Sequence, residues 1–266
     1  MSGGPTPVAP PVAAATASAR VAAELAGAGV SAVIAYHSSV YRARGIASVA
    51  GLLPWDSANR QVQRMAPGIV QGAGRTSVVA TVCANDAIFQ VPDVLASLAD
   101  VGVIGVLNAP TVGLFTGPVR DALERAGLGR EREIALIGAA HRAGLRAWCY
   151  VFDERWTEQA VTAGADVIVI HLGLTGVRTP HESADVASCL AVLDTLRPTT
   201  PVYLHGGRLT EPADFTQLID ELGATGRTPP VGFFGASTFE QPGTKPSVAV
   251  QRWRAHLQEV NRDYSG

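Results

Sequence analysis

The sequence predicts an α/β fold, a closed (β/α)8 barrel of parallel strands. Short apolar runs alternate with Ala-rich or amphipathic stretches of helical length along nearly the whole chain. The most apolar of them, Asp166 to Ile170, is almost uninterrupted β-branched sequence, which suits a strand buried on both faces. No hairpin signal joins neighbouring runs, and 266 residues is close to the roughly 250 of one such barrel.

Residues 1–6 read as a loose leader and 7–266 as a single domain. Val8 to Ala14 is the first strand, although prolines within it remove ladder donors. Thr16 is placed to cap an Ala-rich helix, Ala17 to Ala26, which Gly27 and Gly29 end. Ser31 to Tyr36 forms the second strand, followed by the polar turn His37-Ser38-Ser39 and a helix from Trp55 to Met65. Ser77 to Cys83 is the third strand, with Asn85 and Asp86 just beyond it. The helix Val91 to Asp100 is led by Pro92 and Asp93.

Val103 to Leu107 is the fourth strand, tipped by Asn108. A long segment that includes Glu124 follows, able to cover the strand ends. The helix Glu131 to Ala143 leads to the fifth strand, Leu145 to Phe152, and then to the helix Glu154 to Ala163. The sixth strand ends in His171 and is followed by the helix Ser183 to Leu196. The seventh, Val202 to His205, precedes the helix Pro212 to Leu222. Val231 to Gly235 is the eighth strand, and Ser247 to Val260 the closing helix.

A formal net charge of -2 gives no electrostatic footprint for nucleic acid or an acidic membrane surface. No apolar stretch approaches the roughly 20 residues that span a bilayer, and no secretory signal pattern opens the chain. Cys83, Cys149 and Cys189 lack metal-type spacing and are odd in number, which fits reduced thiols in a cytoplasmic protein. Ala-rich helix faces suit homo-oligomer packing.

His37, Cys83, Asp86, Asn108, His171, His205 and Ser237 all fall at or just past the C-terminal end of a strand. A barrel gathers those ends on one rim. His171 and His205 suit general acid and base work there. A divalent metal (Mg2+ or Zn2+) shared with Asp86 is the rival reading, although no metal-ligand spacing requires one. Asn108 suits an oxyanion or enolate donor, and Cys83 a nucleophile or a buried thiol. Asp86 fits either a base or a helix cap. Arg42 and Arg44 are placed to clamp a carboxylate, and Glu124 lies on the covering segment. Gly206, Gly207, Gly235, Ala236 and Ser237 follow strands seven and eight, where barrels commonly hold anions on backbone N–H groups. Tight turns need glycine as well.

Val33 to Arg42, Val82 to Asp86, Gly105 to Leu114, Pro118 to Gly129, Tyr150 to Phe152, Gly164 to Thr175, His205 to Gly207 and Gly232 to Glu240 together resemble the phosphoenolpyruvate hydrolase-like family. The same domain occurs at the C-terminal end of Tm-1-like ATP-binding proteins. The resemblance implies a TIM barrel of the phosphoenolpyruvate mutase/isocitrate lyase type. It also implies hydrolase or lyase chemistry on a small carboxylate- or carbonyl-bearing substrate through an enolate-like intermediate, with a non-catalytic metabolite-binding barrel as the alternative. His37 and Ser39 replace the family's Asn and Gly, and Ala109 replaces a Phe and so reshapes the pocket.

Overall fold

The apolar runs pair side by side into one closed sheet. The computed structural model describes residues 11–53, 56–223, 231–240, 243 and 245–263. Its regular elements begin with β1 (Val12–Thr16), α1 (Ala19–Gly27), β2 (Ala32–Ala35), α2 (Ser39–Arg42), α3 (Ala58–Ala73) and β3 (Val78–Val82). They continue with α4 (Val91–Asp100), β4 (Gly105–Asn108), α5 (Gly117–Arg125), α6 (Arg130–Arg142), β5 (Arg146–Val151) and α7 (Glu154–Thr162). The last are β6 (Val167–His171), α8 (Glu182–Leu196), β7 (Val202–His205), α9 (Pro212–Gly223), β8 (Gly232–Gly235) and α10 (Pro246–Asp263). Each strand runs parallel to its sequence neighbour, and β1 closes the ring against β8 through Val12↔Phe233 and Ala14↔Gly235. The predicted barrel is present.

Alternation along the strands sorts the core into two layers. Ala13, Ala15, Ala32, Ile34, Val79, Leu107, Trp148, Tyr150, Val167, Val169, Tyr203 and Phe234 fill the inside of the barrel. Small side chains from β1 and β2 leave room for the aromatic ones of β5, β7 and β8, and Trp148 stacks on Tyr203 at 5.0 Å. The other strand faces pack against the helices. There Trp253 of α10 stacks on Phe233 at 3.5 Å, and Trp156 of α7 is fully buried. Full burial of side chains this size contributes about 1.5–3 kcal/mol each relative to exposure.

Several boundaries move for identifiable reasons. β1 begins at Val12, after the proline pair, and Val8 to Pro10 lie outside the described residues. Ser18 caps α1, its hydroxyl accepting from the Val21 N–H, while Thr16 accepts from the Ser18 N–H instead. The helix expected from Trp55 starts at Ala58 under a Ser57 cap and runs through Pro67 to Ala73. Trp55 itself lies outside the described residues. The segment expected as a cover holds α5, and none of that helix is buried. Among the described residues no helix is long and apolar enough to cross a membrane.

Candidate functional site

The C-terminal rim carries a cleft of about 500 Å³, counting its solvent-open part. His171 and His205 lie on neighbouring strands in direct register, and alternation turns both inward, in line with Val169 and Tyr203. Their rings meet edge to face at 4.8 Å. Tyr150 lies 4.7 Å from His171 and 5.4 Å from His205, Phe152 stacks on His171, and Phe234 stacks on His205. Gly206 makes the approach possible. It adopts φ +78°, and a Cβ there would meet the Gly173 carbonyl at 2.3 Å and the His171 ring at 3.1 Å.

Backbone contacts fix the two imidazoles in opposite tautomers. His205 Nδ1 lies 2.8 Å from the Phe234 carbonyl, which can only accept, so Nδ1 carries the proton and Nε2 keeps its lone pair. The Gly173 N–H donates to His171 Nδ1 at 3.1 Å, so the His171 proton sits on Nε2. Burial lowers the His205 pKa to about 4, against the opposing pull of the Phe234 carbonyl. Burial, and then the neighbouring His205, hold His171 well below its ordinary value. Both rings are therefore neutral at neutral pH. One presents an N–H and the other a lone pair.

His37, Ser38, Arg42, Ala236 and Ser237 also line this cleft, as do Tyr36, Ser48 and Thr175. His37 is 3% exposed and donates from Nε2 to the Gly51 carbonyl at 3.3 Å. Its Nδ1 is buried without a partner, and burial takes its pKa to about 4. The Arg42 guanidinium, 7% exposed, donates from Nε to Glu240 at 2.8 Å and from its other nitrogens to Ser38 and Ser39.

Four expected site residues lie elsewhere. Asn108 points outward, because Leu107 and Ala109 on either side of it take the inner face. Its Oδ1 accepts the Tyr150 N–H at 2.6 Å and its Nδ2 donates to Glu133, so it ties strands to α6 and no oxyanion. Cys83 does not line the cleft, and burial pushes its thiol up to about 12, away from thiolate character. The Asp86 carboxylate accepts from Ser57, Asn59 and the N–H groups of Ile88 and Phe89, which makes it the organiser of its own loop. It lines a separate groove of about 970 Å³ beside α4 and α6. Glu124 is held on α5 by Arg120 at 2.7 Å.

The glycine loops are also committed to other work. The Gly207 N–H donates to the Gly173 carbonyl at 3.1 Å, and a Cβ on Gly235 would strike Phe239 at 2.3 Å and Phe233 at 2.9 Å. Among the described residues no group of three His, Cys, Asp or Glu is placed to hold a metal ion.

Glu133, on α6, had no distinguishing signal inside Arg130-Glu-Arg-Glu133. It is 1% exposed. One oxygen accepts from the Val112 N–H at 2.7 Å and Asn85 at 3.1 Å, and the other from Thr111 at 2.8 Å and Asn108. This one carboxyl pins the loops after β3 and β4 and so positions Pro110 and Leu114 on the cleft wall. Burial, outweighing those hydrogen bonds, raises its pKa to about 7.

Residues 8–254 match the phosphoenolpyruvate hydrolase-like family. Among curated proteins, the ToMV resistance protein Tm-1 of Solanum lycopersicum is 35% identical over 239 residues, covering 85% of this chain and 31% of that protein. A putative transcriptional regulatory protein of Sinorhizobium fredii is 26% identical over 81% of this chain and 36% of its own length. The chain thus spans about a third of the curated relatives it matches. Among solved structures, a phosphonopyruvate hydrolase complexed with oxalate and Mg2+ superposes with a TM-score of 0.54 at 17% identity, over 96% of this chain and 83% of that one. A phosphoenolpyruvate phosphomutase from Streptomyces platensis subsp. rosaceus gives 0.54 at 17% identity, over 98% and 83%. Likeness at that identity speaks to the fold alone.

Proposed function

Because the chain belongs to the phosphoenolpyruvate hydrolase-like family, we propose that it is an enzyme of hydrolase or lyase type. In this reading it acts on a small carboxylate- or carbonyl-bearing compound by acid/base chemistry in the rim cleft. The observation that carries the proposal is the His171–His205 pair, two touching imidazoles locked in opposite tautomers.

His205 Nε2 is the base. It takes a proton either from the carbon next to the substrate carbonyl, so that the resulting enolate expels a β-substituent, or from a β-hydroxyl. In the second case the O–H electrons form a new C=O as the C–C bond breaks and leaves an enolate. His171 Nε2–H faces the carbonyl oxygen and donates to it as negative charge develops, a role for which Asn108 is turned to the wrong side of its strand. A base with a pKa of about 4 in the empty cleft is weak. Negative charge arising on an enolate beside it stabilises the imidazolium, so His205 becomes basic only as the reaction proceeds. The proton then passes to the leaving fragment. Aromatic walls from Tyr150, Phe152 and Phe234 limit water around the pair.

The test is turnover of a panel of 2-oxo and 2-hydroxy acids, followed by NMR, with wild type, His205→Ala and His171→Ala. The expected result is one substrate converted by wild type and slowed at least about a hundredfold in both variants. Undiminished conversion by His205→Ala would refute the assignment. The likeness to a putative transcriptional regulatory protein favours a second reading, a barrel that binds a metabolite without converting it. A ligand bound in a His205-dependent way and recovered chemically unchanged would decide for that reading.

A further inference from the structure

We propose that the ligand of this cleft carries no phosphoryl or phosphono group, and that the site is built for a neutral or singly charged 2-oxo or carboxylic compound. This rests on the acid/base reading above and adds the charge class of the substrate.

A phosphate or phosphonate is bound by unpaired cations, by free N–H groups at a helix start, or by a metal ion. The cationic side chain of the cleft wall, Arg42, is already neutralised, because Glu240 receives its Nε–H at 2.8 Å and is itself only 13% exposed. The imidazoles of His37 and His205 are neutral down to about pH 4. Among the described residues of the wall, a dianion entering here would meet no uncompensated cationic side chain while losing its own hydration.

The rim after β7 and β8, where barrels commonly hold phosphate, is filled by the chain itself. The Asp214 carboxylate accepts from the N–H groups of Thr210 and Glu211 at 3.0 and 2.7 Å, and so caps the start of α9. Arg208 turns to Glu221 at 2.5 and 2.9 Å and to Glu182 at 3.2 Å. After β7, then, Arg208 and the amides of Thr210 and Glu211 already hold carboxylates.

A metal bridge fits no better. Magnesium needs about six oxygen ligands, largely carboxylate and water, and the carboxylate next to the cleft is spent on Arg42. Zinc needs several nitrogen or thiolate lone pairs. His171 Nδ1 accepts the Gly173 N–H and His37 Nε2 donates to Gly51, which leaves two nitrogen lone pairs, His205 Nε2 and the buried His37 Nδ1, fewer than the metal requires. Asp86, the remaining expected ligand, lies outside the cleft.

The experiment is titration calorimetry at constant ionic strength with two monoanions, pyruvate and oxamate, against phosphoenolpyruvate and phosphonopyruvate, each with and without Mg2+. The proteins are wild type, His205→Ala and Glu240→Gln. Wild type is expected to bind a monoanion at least about tenfold more tightly than either phosphorus compound, with no gain from Mg2+, and to lose that binding in His205→Ala. Glu240→Gln uncovers the Arg42 charge and should tighten the phosphorus compounds at least about tenfold. Equal or tighter wild-type binding of a phosphorus compound, dependent on His205, overturns this inference and leaves the acid/base reading standing. If no compound binds in a His205-dependent way, both fall. The wild-type comparison decides the matter even if Glu240→Gln does not fold.

Discussion

Replacing Glu133 by Gln tests whether burial or hydrogen bonding governs the carboxyl that ties the cleft loops together. Its folded pKa is raised from 4.5 to about 7. A raised acid favours the protonated form in the fold, so its contribution to stability is fully present below pH 4.5. It is lost as pH rises towards 7, because the unfolded chain ionises first. At about 1.4 kcal/mol per unit, the loss comes to roughly 3 kcal/mol. Gln does not titrate and escapes it, although its amide faces Asn108 Nδ2 with a donor and leaves one group short of an acceptor. That costs about 1–3 kcal/mol at every pH.

Urea unfolding of both proteins at about pH 5 and about pH 8 should therefore find wild type ahead at the lower pH. The gap should then shrink or reverse by roughly 3 kcal/mol at the higher pH, some 6–12 °C in Tm for a chain of this size. A gap that widens with pH would refute the reasoning. It would mean that the donors from Val112, Asn85, Thr111 and Asn108 stabilise a carboxylate more than burial opposes it.

The histidines act with the opposite sign. His37 is depressed from 6.5 to about 4, so its stabilising contribution is present above pH 6.5 and lost as pH falls through that window. His37→Gln should flatten the acid limb of a pH–stability curve by roughly 3 kcal/mol. Gly206→Ala places a Cβ at 2.3 Å from the Gly173 carbonyl at a φ of +78°. The expected cost is about 1–3 kcal/mol, with displacement of the His171 ring signals in a histidine-detected NMR spectrum. Unshifted signals would argue that the imidazole pair does not depend on this close approach.

The barrel was legible because its strands are buried on both faces, so apolar runs such as Asp166 to Ile170 announce themselves without periodicity. His171 and His205 were legible for the same reason, as polar tips on such runs in direct register. Asn108 misled because being at a strand tip does not say which face the side chain takes. Alternation from Leu107 carried that signal and points it outward. Glu133 could not be singled out, since buried and solvated carboxylates look alike in a charged first helical turn. The pairing of Arg208 with Glu221, and of Arg42 with Glu240, depends on the closed ring bringing distant loops together. The sequence therefore pointed to Arg42 but not to its pairing with Glu240, and gave no sign of Arg208.

Ring closure also dictates an order of events during synthesis. β1 leaves the ribosome first among the strands, yet one of its two neighbours, β8, is made last. Until then Val12 to Thr16, wholly apolar apart from its final residue, presents an unsatisfied edge while seven-eighths of the barrel waits beside it. Contacts this distant in sequence are slow to form. A nascent chain halted before β8 would hold an open sheet whose free backbone can pair with another such chain. A translational pause between β7 and β8 thus exposes this sheet to self-association.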